Sequence, residues 1–299
     1  MTMFENVLVG VDGSPGGRDA VALAARLVAP HGHMTLAHVR EGELNPLHAI
    51  TPKLVGVERA SSQQLLEVER AAAGVEAELM SVVALSPGRA LHEQAERQRA
   101  DLLVVGSCRR GAFGRTMLGD DTRSALNGAP CAVAIAARGF AESSAAIARI
   151  GVAYNGSRES EAALVAARAL ASTEDASTRA LEVVSLPIYG VGPFAMPIVG
   201  SISEVLERAN RRLSELQGVQ GTAVYGLVAG EELAAFGDEL DLLIVGSRSY
   251  GPVKRLMLGS TSDYLERHAR CSLLVLPRPP AGDTAAQDGR TAATQLAGV

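Results

Sequence analysis

The chain has 299 residues, a length that predicts about two domains of ordinary size. Its formal net charge of −5 argues against nucleic acid and anionic membranes as partners, because proteins bind both of these through an excess of their own positive charge. Hydrophobic residues make up 47% and aromatic residues 3%, which excludes a disordered chain and predicts an aliphatic core.

The first half of the chain alternates short apolar runs with segments of helical period. Asn6–Val11 predicts a buried strand, and Ser14 followed by Pro15 predicts the start of a helix. That helix has an apolar face with a 3.6-residue period, formed by Ala20, Leu23, Ala24, Leu27 and Val28. The elements expected next are a strand at Met34–Val39, a helix at about Val55–Ala73, a strand at Val75–Val83, a helix at Gly88–Gln98, a strand at Leu102–Val105, a helix beginning within Asp121–Asn127 and a strand at Cys131–Ile135.

The second half of the chain repeats the first. Asp101–Ser107 (DLLVVGS) recurs as Asp241–Ser247 (DLLIVGS), at an offset of 140 residues (241 minus 101). Val9–Ser14 matches Val152–Ser157 at an offset of 143 residues (152 minus 9). The chain is therefore a tandem repeat. The strands expected in its second copy are Arg149–Ala153, Ala180–Val184, Thr222–Leu227, Leu242–Val245 and Ser272–Leu276.

Alternating strands and helices predict the fold class, which is α/β with two tandem Rossmann-like domains, each a five-stranded parallel sheet with helices on both faces. We place the domains at residues 1–140 and 147–279 and expect 280–299 to be a disordered tail. A ligand is expected at the carboxyl ends of the strands, where the strand order reverses. The last strand of each copy is expected to be an edge that pairs with its counterpart in a pseudo-dimer within the chain, and a homodimer of two chains stays open.

The segment from Val245 to Ser262 carries the chemistry of the second copy. It leaves a buried strand, crosses a loop with Gly, Ser, Arg and Lys, and is expected to enter a helix at Gly259-Ser260. Glycine lets the backbone approach a ligand closely, and a helix start offers unpaired N–H groups with partial positive charge. These features predict an anion site, and phosphate is the anion most often found there. The alternative is an ordinary strand–loop–helix connection in which Ser260 is only the N-cap.

These residues resemble the universal stress protein family, which carries Gly-x2-Gly-x9-Gly-(Ser/Thr) after its fourth strand and an Asp at the end of its first. The resemblance covers about residues 4–277, and the chain looks like a tandem member of the actinobacterial type. The motif falls on Gly246, Ser249, Gly259 and Ser260 in the second copy, and on Gly106, Arg109, Gly119 and Asp120 in the first. The resemblance implies an adenine-nucleotide alpha-hydrolase-like fold and ATP as ligand, with or without Mg²⁺. Cyclic AMP and AMP are further candidates.

The resemblance also implies which residues contact the nucleotide. The nucleoside positions are Asp12 and Val39 in the first copy, and Asn155 and Val184 in the second. The ribose and phosphate positions are Val245, Gly246, Arg248, Ser249, Gly259, Ser260, Thr261 and Ser262, with Gly106 and Gly119 in the first copy. Because Asp120-Asp121 stands where phosphates would lie in the first copy, the second copy is the favoured site. Asn155 in place of Asp is expected to weaken nucleoside binding there without abolishing it.

Three functions stay open. The first is a stress-response regulator that binds ATP and acts through ligand-dependent conformation or partner binding. The second is a slow ATP hydrolase, although the sequence has no Gly-x4-Gly-Lys-(Ser/Thr) phosphate loop and no evident base beside Gly259-Ser260, so efficient catalysis is not indicated. The third is a nucleotide-free paralogue that serves as an interaction surface.

The remaining signals predict neither a membrane segment nor a metal site. No apolar run approaches the roughly 20 residues that span a bilayer, and the N-terminus lacks signal-peptide regions, so we expect a cytoplasmic protein. His31 and His33 have no third ligand nearby and are expected in a turn and strand. Cys131 and Cys271 are expected to be small buried hydrophobic residues. Cys108 lies beside two arginines, which favour a lower thiol pKa, and it is a minor candidate for redox sensing.

Overall fold

The computed structural model describes residues 4–41, 52–107, 124–125, 127–143, 146–185, 199–247, 256 and 259–278. The first half contains β1 (Phe4–Gly10), α1 (Pro15–Leu27), β2 (Val28–Glu41), α2 (Pro52–Ala73), β3 (Glu78–Ala84), α3 (Pro87–Gln98), β4 (Leu102–Gly106) and β5 (Ala132–Ala136). The second contains β6 (Arg149–Ala153), α4 (Arg158–Glu174), β7 (Ser177–Val184), α5 (Val199–Ser214), β8 (Gln220–Tyr225), α6 (Ala229–Gly237), β9 (Leu242–Gly246), α7 (Ser260–His268) and β10 (Ser272–Leu276). The expected tail at 280–299 lies outside the described residues, as does most of the helix expected within Asp121–Asn127.

The strands form one ten-stranded sheet in the order β3-β2-β1-β4-β5-β10-β9-β6-β7-β8. Neighbouring strands run parallel within each half, and only the central pair, β5 and β10, runs antiparallel. In each half the chain order reverses once, between β1 and β4 and between β6 and β9. These reversals are the two positions at which such sheets bind ligands.

The pairing of β5 with β10 joins the halves through a local two-fold relation. Leu274 lies opposite Ala134, and these two residues are equivalents at the offset of 140 (274 minus 134). Around this seam, the Ala137 N–H donates to the Ser272 hydroxyl oxygen at 3.1 Å. On one face, Arg26 of α1 forms an ion pair of 3.7 Å with Glu174 of α4. The two repeats therefore share both a backbone seam and side-chain contacts.

Helices cover both faces of the sheet, as the sequence analysis predicts. On one face α1, α2, α4 and α5 bury an aliphatic core, which includes Leu23, Leu66, Leu164 and Leu213. On the other face α3, α6 and α7 bury a second core, which includes Leu91, Leu233 and Leu265. Both cores run across the seam. Among the described helices, none combines the length and the hydropathy that a membrane crossing requires.

The repeated Asp of the DLLVVGS and DLLIVGS segments has a structural role. The Asp101 carboxylate accepts the N–H groups of Glu5 and Asn6 at 2.8 and 3.0 Å. The Asp241 carboxylate accepts those of Ala148 and Arg149 at 3.0 and 2.8 Å. Each Asp precedes its strand and hydrogen bonds to the start of the neighbouring strand, so this part of the repeated motif serves sheet assembly.

Several element bounds differ from the expectations, among them the start of β3 at Glu78 and that of β7 at Ser177. Helix α1 ends at Leu27, and Val28, expected on its apolar face, is the C-cap with extended φ and ψ of −70° and 140°. Strand β2 therefore begins at Val28 and not at Met34, with a register irregularity opposite Phe4–Asn6. Strand β8 ends at Tyr225, so Leu227, expected within it, lies beyond the strand and is exposed.

Candidate functional site

A cleft opens at the strand-order reversal of the second repeat. It has a volume of about 120 Å³ and lies between the ends of β6 and β9 and the start of α7. Its apolar wall is formed by Ala153, Leu181, Val183, Ala229, Leu233 and Val245. Its remaining lining is formed by Tyr154, Asn155, Ser157, Glu159, Ser160, Gly246, Gly259, Ser260, Thr261 and Ser262. The cleft thus joins an apolar side to a polar end rich in hydroxyls.

The polar end of the cleft is the first turn of α7. The N-cap is Gly259, with extended φ and ψ of −79° and 169° and no side-chain cap, so the alternative of Ser260 as N-cap is wrong. The first hydrogen bond of the helix runs from the Asp263 N–H to the Gly259 carbonyl at 2.9 Å. Within the described residues, the N–H groups of Ser260, Thr261 and Ser262 have no hydrogen-bond partner. Unsatisfied donors at a helix start favour a bound anion.

The two motif glycines of the second repeat have different reasons to be glycine. A Cβ on Gly246 would lie 2.6 Å from the Cβ of Glu159 and 2.8 Å from its backbone, so Gly246 admits the first turn of α4. Gly106 admits α1 in the same way, with the Gly16 carbonyl oxygen 2.2 Å from its ideal Cβ. A Cβ on Gly259 would meet no atom of the described residues within 4 Å, and its φ of −79° suits any residue. Packing explains Gly246 and leaves Gly259 unexplained.

Asn155 and Asp12 form the same turn after their strands. The Asp12 Oδ1 accepts the Ser14 N–H at 2.9 Å, and the Asn155 Oδ1 accepts the Ser157 N–H at 3.1 Å. Ser14 and Ser157 then cap the following helices. The exchange of Asp for Asn therefore preserves the local backbone. It changes the second side-chain atom from an oxygen acceptor to a nitrogen donor, and Asn155 is one of the residues that line the cleft.

The nucleoside position expected at Val184 is displaced by one residue. The Val11 N–H donates to the Ala37 carbonyl, and the Tyr154 N–H donates to the Leu181 carbonyl, which makes Ala37 and Leu181 equivalent. The counterpart of Val39 is therefore Val183, which lines the cleft, whereas Val184 does not. Because side chains alternate along a strand, Val184 belongs to the opposite face of the sheet.

Glu159 introduces a negative charge at the polar end of the cleft. Its carboxylate lies 3.1 Å from the Arg278 guanidinium, just after β10, and its side chain is 18% exposed. The equivalent residue of the first repeat is Gly16, so the sequence comparison of the two copies gave no signal for this acid. Arg278 offsets the charge that would otherwise repel a phosphate group.

The Tyr154 side chain is a buried polar group in the wall of the cleft. The Tyr154 hydroxyl donates to the Glu161 carboxylate, and burial together with this hydrogen bond raises the pKa of Tyr154 to about 12. Nearby, Arg212 of α5 forms an ion pair with Glu182 of β7. Tyr154 is therefore held protonated. It acts as a fixed wall of the cleft and not as a base.

Several residues named by the sequence analysis lie outside the described residues. These are Arg248 and Ser249 of the second repeat, and Cys108, Arg109, Gly119, Asp120 and Asp121 of the first. Asp12, Val39 and Gly106 are described and lie at the equivalent strand ends of the first repeat. His31 and His33 lie within β2 and are exposed. Cys131 and Cys271 are buried, as predicted, and burial raises the pKa of each thiol to about 12.

Comparison with known proteins agrees with this architecture. The sequence model of the universal stress protein family matches residues 3–137 and again 147–277. A universal stress protein of Mycobacterium tuberculosis is 26% identical over 298 residues, covering 91% of this chain and 99% of the relative. One of Thermus aquaticus is 28% identical over 138 residues, covering 44% of this chain and 97% of the relative. A crystal structure of a universal stress protein from Archaeoglobus fulgidus superposes with a TM-score of 0.64 at 16% identity, covering 92% of this chain and 99% of that one.

Proposed function

The chain belongs to the universal stress protein family, and from this premise we propose that it is a stress-response regulator whose second repeat binds an adenine nucleotide, with ATP as the first candidate. Binding would act through the conformation of the chain or through its partners. Cyclic AMP and AMP are the other ligands to test, since both share the base and carry phosphate.

The observation that carries this proposal is the start of α7. Among the described residues, nothing gives Gly259 a steric reason to be glycine, its φ gives no conformational reason, and the three N–H groups that follow it have no described partner. A backbone that is bare on its cleft side is what close approach by a phosphate group requires. The hydroxyls of Ser260, Thr261 and Ser262 add donors at the same end.

The other parts of the cleft suit the rest of a nucleotide. The apolar wall with Leu181, Val183 and Leu233 would pack against the base, and Asn155 would donate to a ring nitrogen or a ribose oxygen. The cleft volume of about 120 Å³ is below the 300–1,000 Å³ typical of small-molecule sites, so a nucleotide would lie partly outside it. Mg²⁺ would be held mainly by the phosphates, because the described residues contain no group of three or more His, Cys, Asp or Glu side chains suited to a metal.

The test is a titration of the full chain with ATP, comparing the wild type with Gly259→Val. We expect one site in the wild type and loss of at least tenfold in affinity in the variant, because the added side chain fills the space a phosphate would occupy. The melting temperature of the nucleotide-free variant should match that of the wild type, since no atom of the described part of the chain lies within 4 Å of the added Cβ. Equal ATP affinity in the two proteins would reject the proposal. Phosphate release measured in the same samples distinguishes binding from hydrolysis, and we expect no turnover.

We also propose that residues 1–140 and 147–279 are the two units of the fold and that they pair as a pseudo-dimer within one chain. The antiparallel contact of β5 with β10 and its local two-fold relation support this. Sedimentation of the purified chain would decide whether two such chains associate further.

A further inference from the structure

Leu256, which precedes α7 in the chain, is hydrogen bonded to the first repeat. Leu256 lies three residues before Gly259, the N-cap of that helix. Its N–H donates to the Ala129 carbonyl at 2.9 Å, and its carbonyl accepts the Gly128 N–H at 2.8 Å. Both backbone groups of this residue are thus bonded to the turn before β5. A segment of three residues spans at most about 11 Å, so Leu256 lies close to the helix start.

Burial reinforces this contact. The Leu256 side chain is 0% exposed and belongs to the core that contains Ala125 and Ala129 of the first repeat and Leu265 of α7. The same core therefore holds the turn of one repeat, the loop of the other and the helix that follows. Closely packed protein interiors transmit a displacement from one residue to its neighbours.

The turn in the first repeat depends on a glycine. Gly128 has a φ of +92°, which L side chains rarely adopt. A Cβ there would lie 3.8 Å from the His92 ring, an ordinary contact, so the constraint on this position is the backbone conformation and not space. His92 itself hydrogen bonds to the Ala125 carbonyl at 2.7 Å and supports the turn from α3.

We propose that the turn Gly128-Ala129 of the first repeat is a positioning element for the anion site of the second repeat. By holding Leu256 at both its N–H and its carbonyl, the turn fixes where the N–H groups of Ser260–Ser262 point. This inference rests on the proposed nucleotide binding for its functional consequence. Since coupling between two sites is reciprocal, a ligand at α7 stabilises the Gly128–Leu256 contact by the same factor that the contact adds to ligand affinity.

The test compares Gly128→Ala with Gly74→Ala in the full chain. Gly74 also has a positive φ, of +62°, and no described atom lies within 4 Å of its ideal Cβ, but it follows α2, on the opposite face of the sheet from α3 and α7. We expect Gly128→Ala to weaken ATP affinity about threefold to tenfold, the range that corresponds to loss of one hydrogen bond, and Gly74→Ala to leave it unchanged. Equal ATP affinity in the two variants would overturn the inference.

Amide hydrogen exchange in the nucleotide-free protein keeps this test separate from that of the proposed function. Peptides covering residues 256–262 should exchange faster in Gly128→Ala and at the wild-type rate in Gly74→Ala. If the wild type binds no ATP, the proposed function fails and the exchange rates alone decide the positioning role. Unchanged exchange at these residues in Gly128→Ala would then overturn it.

Discussion

At the scale of single residues, the ion pair with Arg278 offsets the negative charge that Glu159 places at the polar end of the cleft. The pair lies 3.1 Å apart beside Gly246 and the start of α7. An unpaired carboxylate at this place would oppose a phosphate by an amount that depends on how far solvent screens it. Among the described residues, the charge of Glu159 is therefore balanced by a residue beyond β10, outside the motif in sequence.

We predict that Arg278→Gln weakens ATP binding about threefold to tenfold and leaves adenosine binding unchanged, because only the phosphates meet the exposed charge of Glu159. The double variant Glu159→Gln/Arg278→Gln should regain most of the lost affinity. Calorimetric titration with both ligands measures these effects. An equal loss for adenosine would show that Arg278 acts on the shape of the cleft and not on its charge.

Asn155 and Val183 show what residue-level comparison of the two repeats can and cannot predict. The pairing of Asn155 with Asp12 was readable because the glycine and serine that follow are the same in both copies. The expected nucleoside position Val184 lies one residue after the structural counterpart of Val39, because no motif marks the register of β7 in the sequence. The hydrogen bonds to Ala37 and Leu181 and the pairing of the strands fix that register.

At the scale of elements, Asp241 ties the start of β9 to the start of β6. Burial alone would raise the pKa of its carboxyl, but hydrogen bonds from the Arg149 side chain and from the N–H groups of Ala148 and Arg149 outweigh it and lower the pKa. A carboxyl with a lowered folded-state pKa stabilises the fold above its unfolded-state pKa. This stabilisation is lost as the pH falls through the folded-state value.

We therefore predict that Asp241→Asn lowers the free energy of unfolding at pH 7 by about 1–2 kcal/mol, because one charged acceptor of four N–H donors is lost. Below pH 4 the difference from the wild type should shrink. Urea denaturation at several pH values measures both effects. Asp238→Asn is the matched control, since its carboxylate is half exposed and its ion pair with Arg270 is long, at 3.8 Å. A constant difference across the pH range would contradict the role given to ionised Asp241.

The elements predicted most accurately are those whose sequence pattern does not depend on contacts with other elements. The apolar runs in DLLVVGS and DLLIVGS gave β4 and β9 to within one residue, because strands buried on both faces read as continuous apolar segments. The start of β2 at Val28 was not predictable, since Leu27 and Val28 both continue a helical face. The cleft wall was missed for a different reason. Leu181 and Leu233 come from separate elements that meet only in the folded sheet.

At the scale of the whole molecule, the ten strands form one sheet and both cores cross the seam. Two domains joined only by a linker would unfold separately, whereas a shared sheet couples their unfolding. We predict a single calorimetric transition, with a van't Hoff enthalpy equal to the calorimetric enthalpy.

The variant Ser272→Ala extends this prediction. It removes the acceptor of the Ala137 N–H at the seam and should lower the melting temperature of that single transition by a few degrees. Ser214→Ala, at the exposed end of α5, serves as the control. Two resolved transitions in the wild type would show that the repeats unfold independently in spite of the shared sheet.

The local two-fold relation at Leu274 and Ala134 has a consequence for how this molecule can change over generations. In an assembly of identical subunits, every substitution occurs in both copies at once, so neither half can specialise. Joining the halves in one polypeptide removes that restriction. One half can then lose a helix start that suits phosphate while the other half keeps it. The half without it can still pack against the other half and stabilise it.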